Sequence, residues 1–70
     1  MMPLVLADSG SENLVRRVGG PAEARRHLAD LGFSVGTPVT VVSAAGGNVI
    51  VRVRESRVAI SREMARRIMV

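Results

Sequence analysis

One short helix, with its stop signal beside it, constrains this chain more than any other stretch. It lies within residues 21–36, PAEARRHLADLGFSVG. Pro21 follows Gly19-Gly20, so a residue of fixed φ stands at a first helical position directly after a permissive pair. Ala24, Leu28 and Leu31 recur at spacings of four and three, which lays one apolar stripe along the helix. Arg25, Arg26 and Asp30 fall largely off that stripe, on the water side. Gly32 supplies the left-handed residue that ends the helix, and Phe33 follows where it can fold back on Leu28 in a Schellman-type cap. Ser34-Val35-Gly36 then turns the chain into a strand. A helix this short is marginal alone in water. It must lie against something, and the rest of the chain reads mostly as strand.

Size decides how that can happen. Seventy residues make one domain, 1–70, that buries roughly 60% of its unfolded surface. There is no cysteine, hence no disulfide and no thiolate metal site to reinforce it. Phe33 is the one aromatic residue, so the core must be built from Val, Leu, Ile, Ala and Met. All ten basic residues are Arg and the net charge is +4, which suits an anionic partner and equally suits a solvated surface. No apolar run approaches the ~20 residues needed to cross a bilayer. The start, MMPLVLADSG, has neither a basic n-region nor a small-residue cleavage pattern, so no signal peptide and a cytoplasmic location are expected.

Along the chain, Leu4-Val5-Leu6 is a short apolar run closed by the turn chemistry of Asp8-Ser9-Gly10-Ser11. Glu12 to Val18 reads as a strand, with Leu14, Arg16 and Val18 on one face and Val15 and Arg17 on the other. After the helix, Thr37 to Ser43 is β-branched almost throughout. Ala44 to Asn48 reads as a five-residue hairpin loop. Val49 to Arg54 alternates, with Val49, Val51 and Val53 on one face. A tight turn at Glu55-Ser56 leads into Arg57 to Ile60. Ser61 can cap a short second helix, SREMARRI, whose Glu63 and Arg66-Arg67 agree with the helix dipole. Ile68-Met69-Val70 adds a last strand segment.

The expected fold is therefore mainly β: a small SH3-like barrel of about five strands, with one α-helix after the first strands and a short helical turn before the last. Rolling the sheet up buries its apolar face and removes exposed edges. The alternative is an open α+β sheet with the first helix on one face.

Chemistry is sparse. His27 is the sole histidine and sits mid-helix beside Arg25 and Arg26. Glu23 and Asp30 could share its surroundings, but the donors are few and do not read as a closed metal site. Gly46-Gly47 is not followed by the Lys, Thr or helix of a phosphate loop. Arg16, Arg17, Arg52, Arg54 and Arg57 could face a nucleic acid, yet single-strand binding relies on aromatic platforms that this chain lacks. No catalytic residue, cofactor-binding residue or metal ligand is assigned.

The order L-x-x-L-G-F-x-x-G-x-x-V-x-V, then a Gly-rich loop, then V-I-V-x-V-R-x-S-R-V-A-I-S-R-E-M-A-x-x-I-x-V, resembles the ferrous-iron transport protein A (FeoA) family. The match runs through Leu28, Leu31, Gly32, Phe33, Gly36, Val39 and Val41, and resumes at Asn48, Val49, Val51, Val53, Arg57, Ala59, Ile60, Ala65, Ile68 and Val70. That family is similar to the C-terminal SH3-like domain of iron-dependent repressors, but no helix-turn-helix precedes it here. The resemblance implies a non-enzymatic cytoplasmic accessory of ferrous-iron uptake, acting on the membrane permease that carries a GTPase domain, with no cofactor. The alternative is a small basic barrel that binds nucleic acid or acts as a metal-responsive regulatory domain. Self-association is open to a domain this small; specific nucleic-acid binding and membrane insertion are not expected.

A docking face is expected at residues 25–36. The helix commits its apolar stripe to the barrel, which leaves Arg25 and Arg26 outside, and Val35 in the following turn has no evident core duty. Interfaces favour Arg and gain most from an apolar anchor ringed by polar groups.

Overall fold

The computed structural model describes residues 1–70. After a single 3-10 turn at Leu4–Leu6 come β1 (Glu12–Leu14), β2 (Arg17–Val18), α1 (Ala22–Asp30), β3 (Pro38–Ala45), β4 (Asn48–Val53), β5 (Ser56–Ser61), α2 (Arg62–Arg66) and β6 (Ile68–Met69). The first four-stranded sheet runs β1-β3-β4-β5, and β2 pairs with β6 in a second. Every named pairing is antiparallel. The expected SH3-like architecture is present, with six strands in place of about five and two sheets joined at a corner rather than a cylinder bonded all round.

The extra strand comes from the segment read as continuous from Glu12 to Val18. Its first half pairs with β3, Asn13 opposite Val39. Its second half pairs with β6, Val18 opposite Ile68. The strand changes partner at Val15–Arg16, which is why alternation fails there: Val15 is buried, Leu14 is half exposed and Val18 is only partly covered.

The hairpins shift slightly from expectation. Ala44 and Ala45 belong to β3, opposite Val49 and Asn48, so the loop shrinks to Gly46-Gly47. A bulge at Val42, between Val41 opposite Val51 and Ser43 opposite Ile50, supplies the residue that brings these ends into register. In the next hairpin Val53 faces Ser56, so the turn is Arg54-Glu55, one residue earlier than expected. Arg54 takes φ 58 there, the chain's one non-glycine residue in the left-handed region.

α1 ends as its sequence implies. The Phe33 amide donates to the Leu28 carbonyl (2.9 Å) and the Gly32 amide to the Ala29 carbonyl (2.9 Å), the paired bonds of a Schellman cap. At the other end Pro21 stands one position earlier than expected, as the N-cap with ψ 155. In α2 the Ser61 hydroxyl accepts from the Met64 amide at 3.1 Å, as the cap reading required. Val39, Val41, Val49, Val51, Val53 and Ile60 from the sheet meet Leu28, Phe33, Leu4, Val15, Ala65, Ile68 and Val70 in one buried cluster. Burying Phe33 alone is worth about 1.5–3 kcal/mol relative to leaving it exposed.

Candidate docking surface

The corner between the two sheets makes the surface. The Val15 amide donates to the Thr37 carbonyl (3.0 Å) and its carbonyl accepts from Gly36 (2.7 Å), whereas the Arg16 amide donates to the Met69 carbonyl (2.8 Å). These bonds hold Val15 in the core and leave Leu14 and Arg16 exposed on either side of it. Leu14 remains 49% exposed, and Val35, carried by the turn that Gly36 closes against Val15, remains 71% exposed.

Leu14 and Arg16 line two adjoining hollows. One, of about 280 Å³, is completed by Val15, Val35 and Gly36. The other, of about 670 Å³, is completed by Met1, Met2, Glu12, Asn13 and Val70. Apart from Leu6, every large apolar side chain left exposed lies here: Met1, Met2, Leu14 and Val35. Glu12, Asn13 and Arg16 stand among these apolar side chains in the lining of the two hollows.

Of the residues expected to face a partner, Val35 stands in this patch, and Arg25 and Arg26 are exposed on α1. The hollow around Val35 contains no residue of α1. Leu28, Phe33 and the half-buried Leu31 serve the core, while Gly32 and Gly36 adopt φ 110 and 90. Sequence reasoning missed Leu14, Met1, Met2 and Arg16. The available signal was Leu14, an apolar residue in an otherwise charged row between Glu12 and Arg16.

A groove of about 240 Å³ between α1 and α2 brings His27, Ser61 and Glu63 together. These are the residue types of an acyl-transfer triad, but they are not arranged as one. The Ser61 hydroxyl accepts from Met64, and the Glu63 carboxylate lies 3.3 Å from Arg67. No three His, Cys, Asp or Glu side chains converge anywhere in the chain to hold a metal ion. On the outer face of the sheet Arg52 stands directly opposite Arg57, both exposed. The Arg67–Glu63 contact is the chain's one ion pair, so neither of these arginines is neutralised.

Residues 2–70 match the FeoA domain family. The chain belongs to that family. It is 33% identical over its full length to a protein of Methanocaldococcus jannaschii named as Fe(2+) transport protein A, and spans 85% of that relative. Among solved structures it is similar to an iron uptake regulatory protein (FeoA), with 28% identity, a TM-score of 0.87, and coverage of 96% of this chain and 89% of the other. It is also similar to the FeoA of Stenotrophomonas maltophilia, solved in complex with zinc and described as a prokaryotic SH3 domain protein. That match has 25% identity and a TM-score of 0.85, and covers 99% of this chain and 88% of the other. The family is implicated in ferrous-iron transport, and no helix of this chain is long and apolar enough to cross a membrane.

Proposed function

We propose that this chain is a non-enzymatic accessory of ferrous-iron uptake, working in the cytoplasm by docking on the membrane permease that carries a GTPase domain. Membership of the FeoA family supports the transport setting. The observation that carries docking is the clustering of Leu14, Val35, Met1 and Met2 around two open hollows on an SH3-like fold. Such a patch gains free energy when a partner covers it, at roughly 25 cal/mol per Å² of apolar surface. Val35 is the anchor, and Arg25 and Arg26 contribute charge from α1. In this reading iron is cargo of the permease and needs no ligand set on this chain.

The test is a pull-down against the cytoplasmic region of the permease, using the parent, Val35→Glu and Arg25→Glu/Arg26→Glu. Folding of each variant is checked first by circular dichroism. The parent is expected to be retained, the Val35 variant to lose most of its binding and the double variant to be weakened. A parent protein that the permease does not retain would refute the docking function.

A further inference from the structure

The outer face of the four-stranded sheet sets two arginines directly against each other. Val53 and Ser56 flank the two-residue turn Arg54-Glu55, and Arg52 is registered opposite Arg57 in the next pair. At the far end of the same ladder the Arg62 amide donates to the Gly47 carbonyl at 3.0 Å. Antiparallel pairs alternate between hydrogen-bonded and non-hydrogen-bonded. Bonded pairs therefore recur at Gly47–Arg62, Val49–Ile60, Val51–Val58 and Val53–Ser56, and Arg52–Arg57 is of the closer, non-bonded kind. Its Cβ atoms stand about 4.5–5.5 Å apart, and like charges so placed destabilise a sheet. Packing does not call for them, since both are exposed while Val51, Val53 and Ile60 fill the inner face. No acid offsets either one, because Arg67–Glu63 is the chain's one ion pair. Glu12 shares their cross-strand row, which runs Glu12, Thr40, Arg52, Arg57, but the Thr40 strand stands between. At about 4.8 Å per strand, Glu12 is roughly 10 Å from Arg52 and about 14 Å from Arg57. In the turn, Arg54 matches the charge of Glu55, so the hairpin end keeps the surplus of the pair.

We infer that Arg52 and Arg57 together bind one phosphate group. A guanidinium is planar, permanently charged and presents paired N–H donors that match phosphate oxygens. Two of them on neighbouring strands close on a single phosphate from either side, and the bound anion turns their repulsion into a shared attraction. A carboxylate suits the pair less well, because its two oxygens are taken up by one guanidinium fork, whereas a phosphate has oxygens for both. The site lies open to water, so its affinity is modest and falls as salt rises. A soluble phosphate and the headgroup of an anionic lipid share this chemistry. The site needs no permease and is independent of the docking function.

The test titrates the full chain with inorganic phosphate at constant ionic strength and follows the arginine Nε–H signals by NMR. The Arg52 and Arg57 signals should move together along one saturating curve, while those of Arg25 and Arg26 on α1 barely respond. Arg52→Gln and Arg57→Gln should each weaken binding roughly fivefold, the scale of losing one exposed ionic contact. Each variant should melt no lower than the parent in chloride, because the repulsion is gone, and phosphate should raise the melting temperature of the parent alone. A second arm sediments the parent and both variants with vesicles of phosphatidylglycerol in phosphatidylcholine. Retention that each substitution weakens assigns the phosphate to a lipid headgroup, and saturation by inorganic phosphate without such retention assigns it to a soluble ligand; either supports the site. If Arg25 and Arg26 shift as far as the pair, or both variants bind phosphate within about twofold of the parent, the anion is adventitious only and the inference is overturned.

Discussion

Replacing Gly32 with Ala tests the end of α1 at two separable levels. Gly32 holds φ 110, where an L-residue is strained by about 1–2 kcal/mol. An added Cβ would also stand 3.1 Å from Cγ2 of Val53 and 3.3 Å from Nε of Arg54. Arg54 is exposed and can swing aside, but Val53 is buried in the centre of the core and can move only with its neighbours. Overpacking of this kind costs about 1–3 kcal/mol. The lower conformational entropy of the unfolded Ala variant offsets about 0.4–1 kcal/mol. A net loss of about 2–3 kcal/mol follows, a large part of the stability of a domain this size. It corresponds to a fall of roughly 10–20 °C in melting temperature. Gly36→Ala is the control: it has φ 90, and an added Cβ there meets nothing within 4 Å, so only the backbone cost applies. Thermal melts of both variants by circular dichroism should show Gly32→Ala lower than Gly36→Ala by several degrees. Equal melting temperatures would remove Val53 from the explanation, and a neutral Gly32→Ala would refute the cap itself.

Ser61→Ala removes the acceptor for the Met64 amide and should cost about 1 kcal/mol, read as a shifted urea midpoint with unchanged slope. Because no set of donors converges, Fe²⁺ and Zn²⁺ should bind weakly and without fixed stoichiometry in titration calorimetry; one tight site per chain would contradict this. Arg52, Arg54 and Arg57 should give at most sequence-independent binding to DNA that collapses between low and physiological salt in an anisotropy titration, and a salt-resistant sequence preference would contradict that.

Where the sequence was readable, the cause was local. The α1 stop at Gly32-Phe33 depends on hydrogen bonds to Leu28 and Ala29 in the preceding turn. The inward set Val49, Val51 and Val53 follows from the two-residue period of a strand, and the Ser61 cap reaches only as far as Met64. Hairpin ends moved by one or two residues because pairing register, not composition alone, decides where a ladder stops. The bulge at Val42 carried β3 on to Ala45 and left only Gly46-Gly47 to turn.

By itself, then, the sequence determined one short capped helix, a meander of β-branched strands, an almost wholly aliphatic core and a chain poor in catalytic groups. It also carried the motifs of the family. Only the tertiary structure decided where the first strand changes sheets, because that depends on Thr37 and Met69, distant from it in the chain, accepting from the successive amides of Val15 and Arg16. Alternation put Leu14 on one face with Arg16 and Val18 without showing which face was outward, and the turn left Val35 without a core role. Nothing in either segment showed that they would share one surface with Met1 and Met2. Side-chain period is a property of a few adjacent residues, whereas an exposed patch is made by segments distant in the chain whose neighbours have gone elsewhere.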